Sequence, residues 1–280
     1  MPELAEVEVG RRVAETVLAG RLLREVQCDP DERVFDQQPC REVRARLLGR
    51  TVRKVERKGK YLWFELDARP WPTFHFGMSG AFLARGGTLA AIQLRSGPRL
   101  DEQWPPRFTK IRMETEDGGE LVMTNARRLG RIRLAFDPER EPPICKLGFD
   151  PWKEPMDPVE FRRRLTQRRG TLKGIFLDQS FAAGIGNWLA DEILYQSGID
   201  PRRTPSDLTA AECVKLHREL HRVVRTAVER QGQNLPRTWL FHHRWSKGRG
   251  REHPRTARGE SIEFLTVAGR STAFVPARQR

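Results

Sequence analysis

Six prolines between residues 137 and 158 (Pro138, Pro142, Pro143, Pro151, Pro155 and Pro158) divide this 280-residue chain into stretches of opposite pattern. Proline fixes φ and lacks an amide N–H, so neither a helix nor an inner strand runs through such a segment. Before it, apolar residues at Leu4, Val7, Ala14, Val17 and Leu18 make a rough helical stripe that Gly20 ends. From Leu22 to about Arg133 the runs turn short and β-rich: Thr51 to Val55, Tyr61 to Leu66, Thr73 to Phe76, Ala81 to Ala84, Lys110 to Glu114, Glu120 to Met123 and Ile132 to Phe136. Turn signals such as Asp117-Gly118-Gly119 separate them, the pattern of a β-sandwich or barrel. After the prolines, helices return. Asp157-Pro158-Val159-Glu160 predicts a capped helix start and Thr209-Ala210-Ala211-Glu212 a capping box. The helix from Ala210 to about Arg230 is expected to bury Cys213, Leu216, Leu220, Val223, Val224 and Ala227. The fold class is therefore α+β.

Charge narrows the partner. The formal net charge is +14 and the pI about 10.4, which favours an anionic surface such as nucleic acid or membrane. Residues 1–150 carry 27 basic against 23 acidic side chains, and residues 151–280 carry 24 against 14. The electrostatic footprint lies in the second stretch, where arginine's forked guanidinium suits phosphate. No apolar run approaches the roughly 20 residues of a membrane span, and the acidic start is no signal peptide. An intracellular, cytoplasmic and nucleoid-associated monomer without membrane contact is expected. Cys28, Cys40, Cys145 and Cys213 form no CxxC pair, so neither a disulfide framework nor a zinc site is indicated.

The chain opens Met1-Pro2-Glu3-Leu4-Ala5-Glu6. Removal of Met1 would leave the Pro2 nitrogen a free secondary amine, and an unperturbed α-amino group has a pKa of about 8. A secondary amine that condenses with an aldehyde carbon gives a cationic iminium, an electron sink. Glu3 and Glu6 stand within a turn of it, where a carboxyl can protonate a leaving oxygen or position water. The alternative is that Pro2 and Glu3 merely start a helix. Further along, Leu177 to Glu192 contains Gly184-Ile185-Gly186-Asn187 at an expected helix start, whose exposed amides can hold a phosphate oxygen. It lies between helical patterns, not after a strand, which excludes a dinucleotide-binding fingerprint.

Four blocks together carry a resemblance: Pro2-Glu3-Leu4-Ala5-Glu6-Val7-Glu8, Arg57-Lys58-Gly59-Lys60-Tyr61-Leu62, His75-Phe76-Gly77-Met78-Ser79-Gly80, and Leu177 to Glu192. In this order they resemble the formamidopyrimidine-DNA glycosylase and endonuclease VIII family of bifunctional base-excision enzymes. The resemblance implies a catalytic β-sandwich domain over 1–136, a linker over 137–157, a helix-two-turn-helix domain over 158–237 and a finger over 238–280. It implies that Pro2 attacks the sugar C1′, that Glu3 protonates the opening deoxyribose with Glu6 in support, and that Lys60 holds a phosphate and assists proton transfer. A base inside a duplex must leave the stack, and something must fill the gap. The family uses a methionine and the first arginine of Asp-Pro-Arg-Arg-Phe-Gly, which map to Met78 and Arg127. Asn125, Ala126 and Leu129 depart from that motif, Leu129 replacing the aromatic wedge. DNA contacts are likewise implied for His75, Arg128, Leu129, Arg168, Lys173, Gly186 and Asn187.

Bacterial relatives end in a four-cysteine zinc finger. Here the ligand positions align with Arg255, Arg258, Val275 and Arg278, none of which binds zinc. Trp239 to Lys247 with Gly269 to Pro276 is instead similar to plant and fungal members in which a metal-free β-hairpin serves, with strands expected over Ile262 to Val267 and Thr272 to Val275. Arg270 matches the finger arginine, which contacts phosphates at the flipped nucleotide and is implicated in the second elimination. His217 and His221 share a helical face, yet Glu219 is offset from the metalloprotease spacing. His242 and His243 suit packing or phosphate contact. The expected activity is a DNA glycosylase and AP lyase on duplex DNA with oxidised bases or abasic sites, through a Pro2 Schiff base and β,δ-elimination, with no metal and no cofactor. The rival is a catalytically inactive damaged-DNA-binding protein of the same fold. Only Gln231 to Arg237 separates the last long helix from the aromatic block, short for a lid over 8-oxoguanine, so formamidopyrimidine, hydantoin and abasic substrates are expected to be preferred.

Overall fold

The computed structural model describes residues 1–36, 38–86, 103–245 and 254–280. They form two compact units, Met1–Lys146 and Leu147–Arg280. The division falls inside the proline-dense stretch, and residues 147–157 belong to the second unit.

The first unit opens with α1 (Leu4–Leu18), β1 (Leu23–Cys28) and α2 (Cys40–Leu47). Then come β2 (Val52–Lys58), β3 (Tyr61–Leu66), β4 (Trp71–His75), β5 (Ala81–Ala84), β6 (Thr109–Thr115), β7 (Glu120–Thr124) and β8 (Arg131–Ala135). The strands make two four-stranded sheets, ordered β1-β6-β7-β5 and β2-β3-β4-β8, with every pairing antiparallel. One core joins them: Val7 and Ala14 from α1, Val26, Ile111 and Met123 from one sheet, Leu62, Phe74 and Ile132 from the other. Phe64, Phe74 and Phe82 stack with ring centroids 4.6 to 5.6 Å apart. Each such ring contributes roughly 2 kcal/mol on burial, and this sheet-on-sheet core holds α1 in place.

β1 and α2 were not expected from the sequence. In β1 the alternation is blurred, because Arg24 and Glu25 both sit outside the core while only Leu23 and Val26 are fully inside. α2 buries just Val43 and Leu47, one turn apart, among charged neighbours.

The second unit contains α3 (Pro158–Thr166), α4 (Leu172–Leu177), α5 (Asn187–Ser197), α6 (Ala210–Glu229), β9 (Glu263–Val267) and β10 (Arg270–Phe274). Asp157 caps α3, its carboxylate accepting the Val159 and Glu160 amides at 2.8 and 3.3 Å. The Thr209–Glu212 capping box forms, and α6 buries the stripe expected of it. β9 and β10 close over Ala268 and Gly269, whose φ values of +49 and +70 suit a two-residue hairpin turn. Among the described residues no helix is long and apolar enough to cross a membrane.

Candidate active site

The N-terminal cluster is built by a helix cap. Pro2 and Glu3 are buried, and Glu3 is the N-cap of α1. The Glu3 amide donates to Glu6 Oε2 at 2.9 Å while the Glu3 side chain accepts from the backbone at Glu6. Two carboxyl groups are thereby fixed beside Pro2 by hydrogen bonds that α1 needs in any case. Burial, then the neighbouring Glu3 carboxylate, pushes the Glu6 carboxyl up to about 7. A carboxyl so placed can hold or release a proton near neutral pH.

Lys60 occupies the β2–β3 turn. Lys58 pairs with Tyr61, leaving Gly59, at φ +56, and Lys60 as the connection. Beneath it the buried Arg57 donates from Nε to Glu8 Oε2 at 2.9 Å and from Nη1 to the Gly59 carbonyl at 2.9 Å. This ion pair ties the turn to α1. Burial opposes ionisation of Glu8, but Arg57 and Arg11 outweigh it and hold the carboxyl below its ordinary range. Glu8 and Arg57 both lie in the recognised blocks, yet sequence alone showed no reason to pair them. His75, opposite Tyr61 on β4, has its ring 4.7 Å from that of Tyr61. Burial, with the charges of Lys60, Arg131 and Arg133, lowers the His75 imidazole to about 4, so it is neutral at pH 7. Its Nδ1 accepts the Gly77 amide at 3.1 Å, which puts the ring proton on Nε2 and makes that edge a donor for a phosphate oxygen.

Two adjacent loops carry the expected wedge residues. Met78 is half-buried, whereas Arg127 is exposed and Leu129 is 44% exposed. Leu129 thus offers an apolar tip to solvent. Arg128, at φ +53, has its guanidinium fork on Asp31, with Nε and Nη2 at 2.8 and 3.1 Å from the two carboxylate oxygens. That bond fixes the loop and occupies one edge of the guanidinium, while the side chain stays half exposed.

In the second unit Lys173 does not meet the expectation of a DNA contact. Its side chain is fully buried, with Nζ 2.5 Å from Asp191 Oδ1, 2.7 Å from Thr272 Oγ1 and 3.3 Å from the Ser271 carbonyl. Asp191 also accepts from Arg244 Nη2 at 2.7 Å and from the Ala273 amide at 3.1 Å. Asn187, the first residue of α5, donates from Nδ2 to the Ser271 carbonyl at 2.9 Å, and the buried Gly186 is the N-cap. Arg168 reaches Asp178 and Ser180 across the loop before Phe181. The network fastens β10 to α4 and α5, and exposed Arg270 begins that same strand.

The family model described as formamidopyrimidine-DNA glycosylase N-terminal domain matches residues 1–132, and that for the H2TH domain matches residues 147–237. A formamidopyrimidine-DNA glycosylase of Arabidopsis thaliana is 39% identical over all of this chain and 71% of its own length. The chain belongs to the formamidopyrimidine-DNA glycosylase family. A Thermus thermophilus relative of that name is 33% identical over all of this chain and 98% of its own. Among solved structures, Lactococcus lactis formamidopyrimidine-DNA glycosylase, non-covalently bound to DNA containing an AP site, matches with a TM-score of 0.78 at 25% identity over 99% of both chains.

Within this family the N-terminal segment contains Pro2, Glu3, Lys60, His75, Met78 and Arg127, and the H2TH segment contains Arg168, Lys173, Gly186 and Asn187. Arg270 lies beyond both. At the positions aligned with the family's zinc ligands, Arg278 donates from Nε to the Tyr195 carbonyl at 3.1 Å, Arg255 donates to the Gly259 carbonyl at 2.7 Å, and Val275 is core. Val275 packs under the hairpin, and the two arginines brace the segments on either side of it. Of the block Trp239 to Lys247, Ser246 and Lys247 lie outside the described residues. His217 Nε2 and His221 Nδ1 lie 2.6 and 3.2 Å from the Met156 and Pro151 carbonyls, so both rings pack against the segment before α3.

Proposed function

We propose that the chain is a bifunctional DNA glycosylase and AP lyase that removes oxidised bases from duplex DNA in base excision repair. Freed of Met1, the Pro2 nitrogen attacks C1′ of the damaged nucleoside; the N-glycosidic bond breaks, and the base leaves with the proton that the Pro2 nitrogen gives up. Glu3 gives a proton to the ring oxygen as the deoxyribose opens, which leaves a C1′ iminium on Pro2. Loss of a C2′ proton then expels the 3′-phosphate by β-elimination, and δ-elimination expels the 5′-phosphate. Water releases the amine. Lys60 and Arg270 serve as phosphate partners. Met78, Arg127 and Leu129 fill the space left by the flipped nucleotide.

The observation that carries this reading is the capping box that buries Glu3 and Glu6 at the start of α1 directly behind Pro2. The family supports it too, since the Lactococcus lactis protein is known in complexes with abasic-site DNA and with DNA containing Fapy-dG. The chain would act as a monomer on chromosomal DNA inside the cell, nucleoid-associated in the cytoplasm, without a cofactor. Residues after α6 form a compact connection, in which the Gly232 amide reaches the Ala227 carbonyl at 2.7 Å and Arg230 Nη1 the Asn234 carbonyl at 2.8 Å. Such a short segment favours formamidopyrimidine, hydantoin and abasic substrates over 8-oxoguanine.

Borohydride trapping on abasic duplex tests the chemistry. Protein shown by mass spectrometry to begin at Pro2 should form a covalent adduct, and protein retaining Met1 should not. Equal trapping by both forms removes Pro2 from the mechanism, and binding without trapping by the processed form leaves only the inactive damaged-DNA binder. Single-turnover rates on matched duplexes, run alongside, should rank hydantoin above 8-oxoguanine opposite cytosine; the reverse order overturns the substrate preference.

A further inference from the structure

Asn125 stands where the family motif has aspartate, and the structure shows what an amide does there. Its side chain is wholly buried at the end of β7. Nδ2 donates to the Phe76 carbonyl at 3.0 Å, on the loop that carries Met78. Oδ1 accepts the Leu129 and Gly130 amides at 3.0 and 3.2 Å, on the loop that carries Arg127. One planar group therefore joins both loops, donating to one and accepting from the other. A second bond runs the same way, the Arg127 amide donating to Ser79 Oγ at 3.2 Å. Space between the loops is correspondingly tight. A Cβ on Gly77, already at φ +61, would lie 2.3 Å from the Leu129 carbonyl oxygen. Nothing larger than glycine fits that approach.

A carboxylate cannot reproduce this clasp. It only accepts, so at this position its oxygen would face the Phe76 carbonyl oxygen with no proton between them. We propose that Asn125 is a positioning residue that couples the Met78 loop to the Arg127–Leu129 loop, so that both enter the duplex as one preformed unit. The coupling suits a chain whose wedge is Leu129. A branched aliphatic tip has less surface to stack than an aromatic ring, and a prearranged partner loop lowers the ordering cost of insertion. This inference rests on the proposed glycosylase function, since it concerns how that site engages duplex DNA.

The test separates insertion from chemistry. Single-stranded abasic DNA needs no wedge, whereas a lesion inside a duplex does. Asn125→Asp should slow single-turnover base excision from a duplex about tenfold, the scale of one lost buried hydrogen bond together with the acceptor it strands. Borohydride trapping on single-stranded abasic DNA should stay within about twofold of the parent protein. Ser79→Ala, which removes the other bond between the loops, should show the same split at about threefold and does not depend on Asn125→Asp folding well. Equal losses on both substrates would reduce Asn125 to a general structural residue, and unchanged rates on both would remove the coupling; either overturns the proposal. Failure of the parent protein itself to trap would instead overturn the glycosylase reading, and so is distinguishable.

Discussion

The Met78 and Arg127 loops of the first unit and the hairpin of the second are fastened by opposite means, although the first unit also buries an ion pair, Arg57 with Glu8. In the first, the wedge loops meet through a neutral amide, Asn125, and the carboxyl beside Pro2, Glu6, is held close to neutrality by burial. In the second, the hairpin that begins with Arg270 is fastened by full charges: Asp191 lies between Lys173 and Arg244 with almost no exposure. Neutral hydrogen bonds are worth about 1 kcal/mol each, enough to prearrange two loops without making their loss costly to the whole unit. A buried carboxylate between two cations gains little over an apolar core, but losing one member strands the others. The loop clasp thus consists of a few weak bonds, and the hairpin anchor is held so that failure is costly.

The largest effect is expected at Asp191. Asp191→Ala leaves Lys173 and Arg244 buried without a counter-charge and removes the acceptor of the Ala273 amide. Loss of about 3–5 kcal/mol from the stability of the second unit should follow, measured by denaturant unfolding. Asn125→Ala should cost clearly less than that. If the two substitutions destabilise equally, the contrast between charged and neutral fastening is wrong.

A smaller effect concerns Glu6 and acid. Its carboxyl is raised from 4.5 to about 7 in the folded chain, so between those values the folded state holds a proton that the unfolded state has released. The stability tied to that proton is complete below pH 4.5 and is lost as pH rises through about 7. Glu6→Gln stays neutral throughout and should flatten this slope, which unfolding free energies measured across the interval would reveal, with a span on the order of 3 kcal/mol. An unchanged slope would mean that Glu6 is ionised in the fold, a buried carboxylate in addition to the Arg57-paired Glu8.

How much of this was legible in the sequence follows the same division. β-rich runs and turn residues placed β3 and β5 with the ends seen in the structure, and short-range capping chemistry placed the starts of α3 and α6. Both signals are local. Pro2, Glu3 and Lys60 were legible because they sit in contiguous motifs, and Asn125 was visible as a departure from one. Its partners were not, since Phe76 lies 49 residues away along the chain. The DNA contact expected of Lys173 came with the family resemblance, and only the fold brings Asp191 and Thr272 to it. Charge compensation between distant residues leaves no mark in composition or periodicity.

The smallest expected effect probes what the charged anchor presents. Arg270 is exposed at the start of β10, directly after the Ala268-Gly269 turn, and the buried network begins at its neighbour Ser271, so its side chain can change without touching that network. A lone phosphate contact releases roughly one counterion on binding. Arg270→Ala should therefore lower affinity for abasic duplex by about tenfold or less at moderate salt, and reduce the slope of log Kd against log salt by about 1. Its unfolding free energy should match that of the parent protein. The combination matters, because Asp191→Ala should also weaken DNA binding, but through a displaced hairpin and with a large loss of stability. A weakened affinity with an unchanged salt slope would show that Arg270 meets no phosphate, and would leave the charged anchor holding a hairpin whose contact with DNA lies elsewhere.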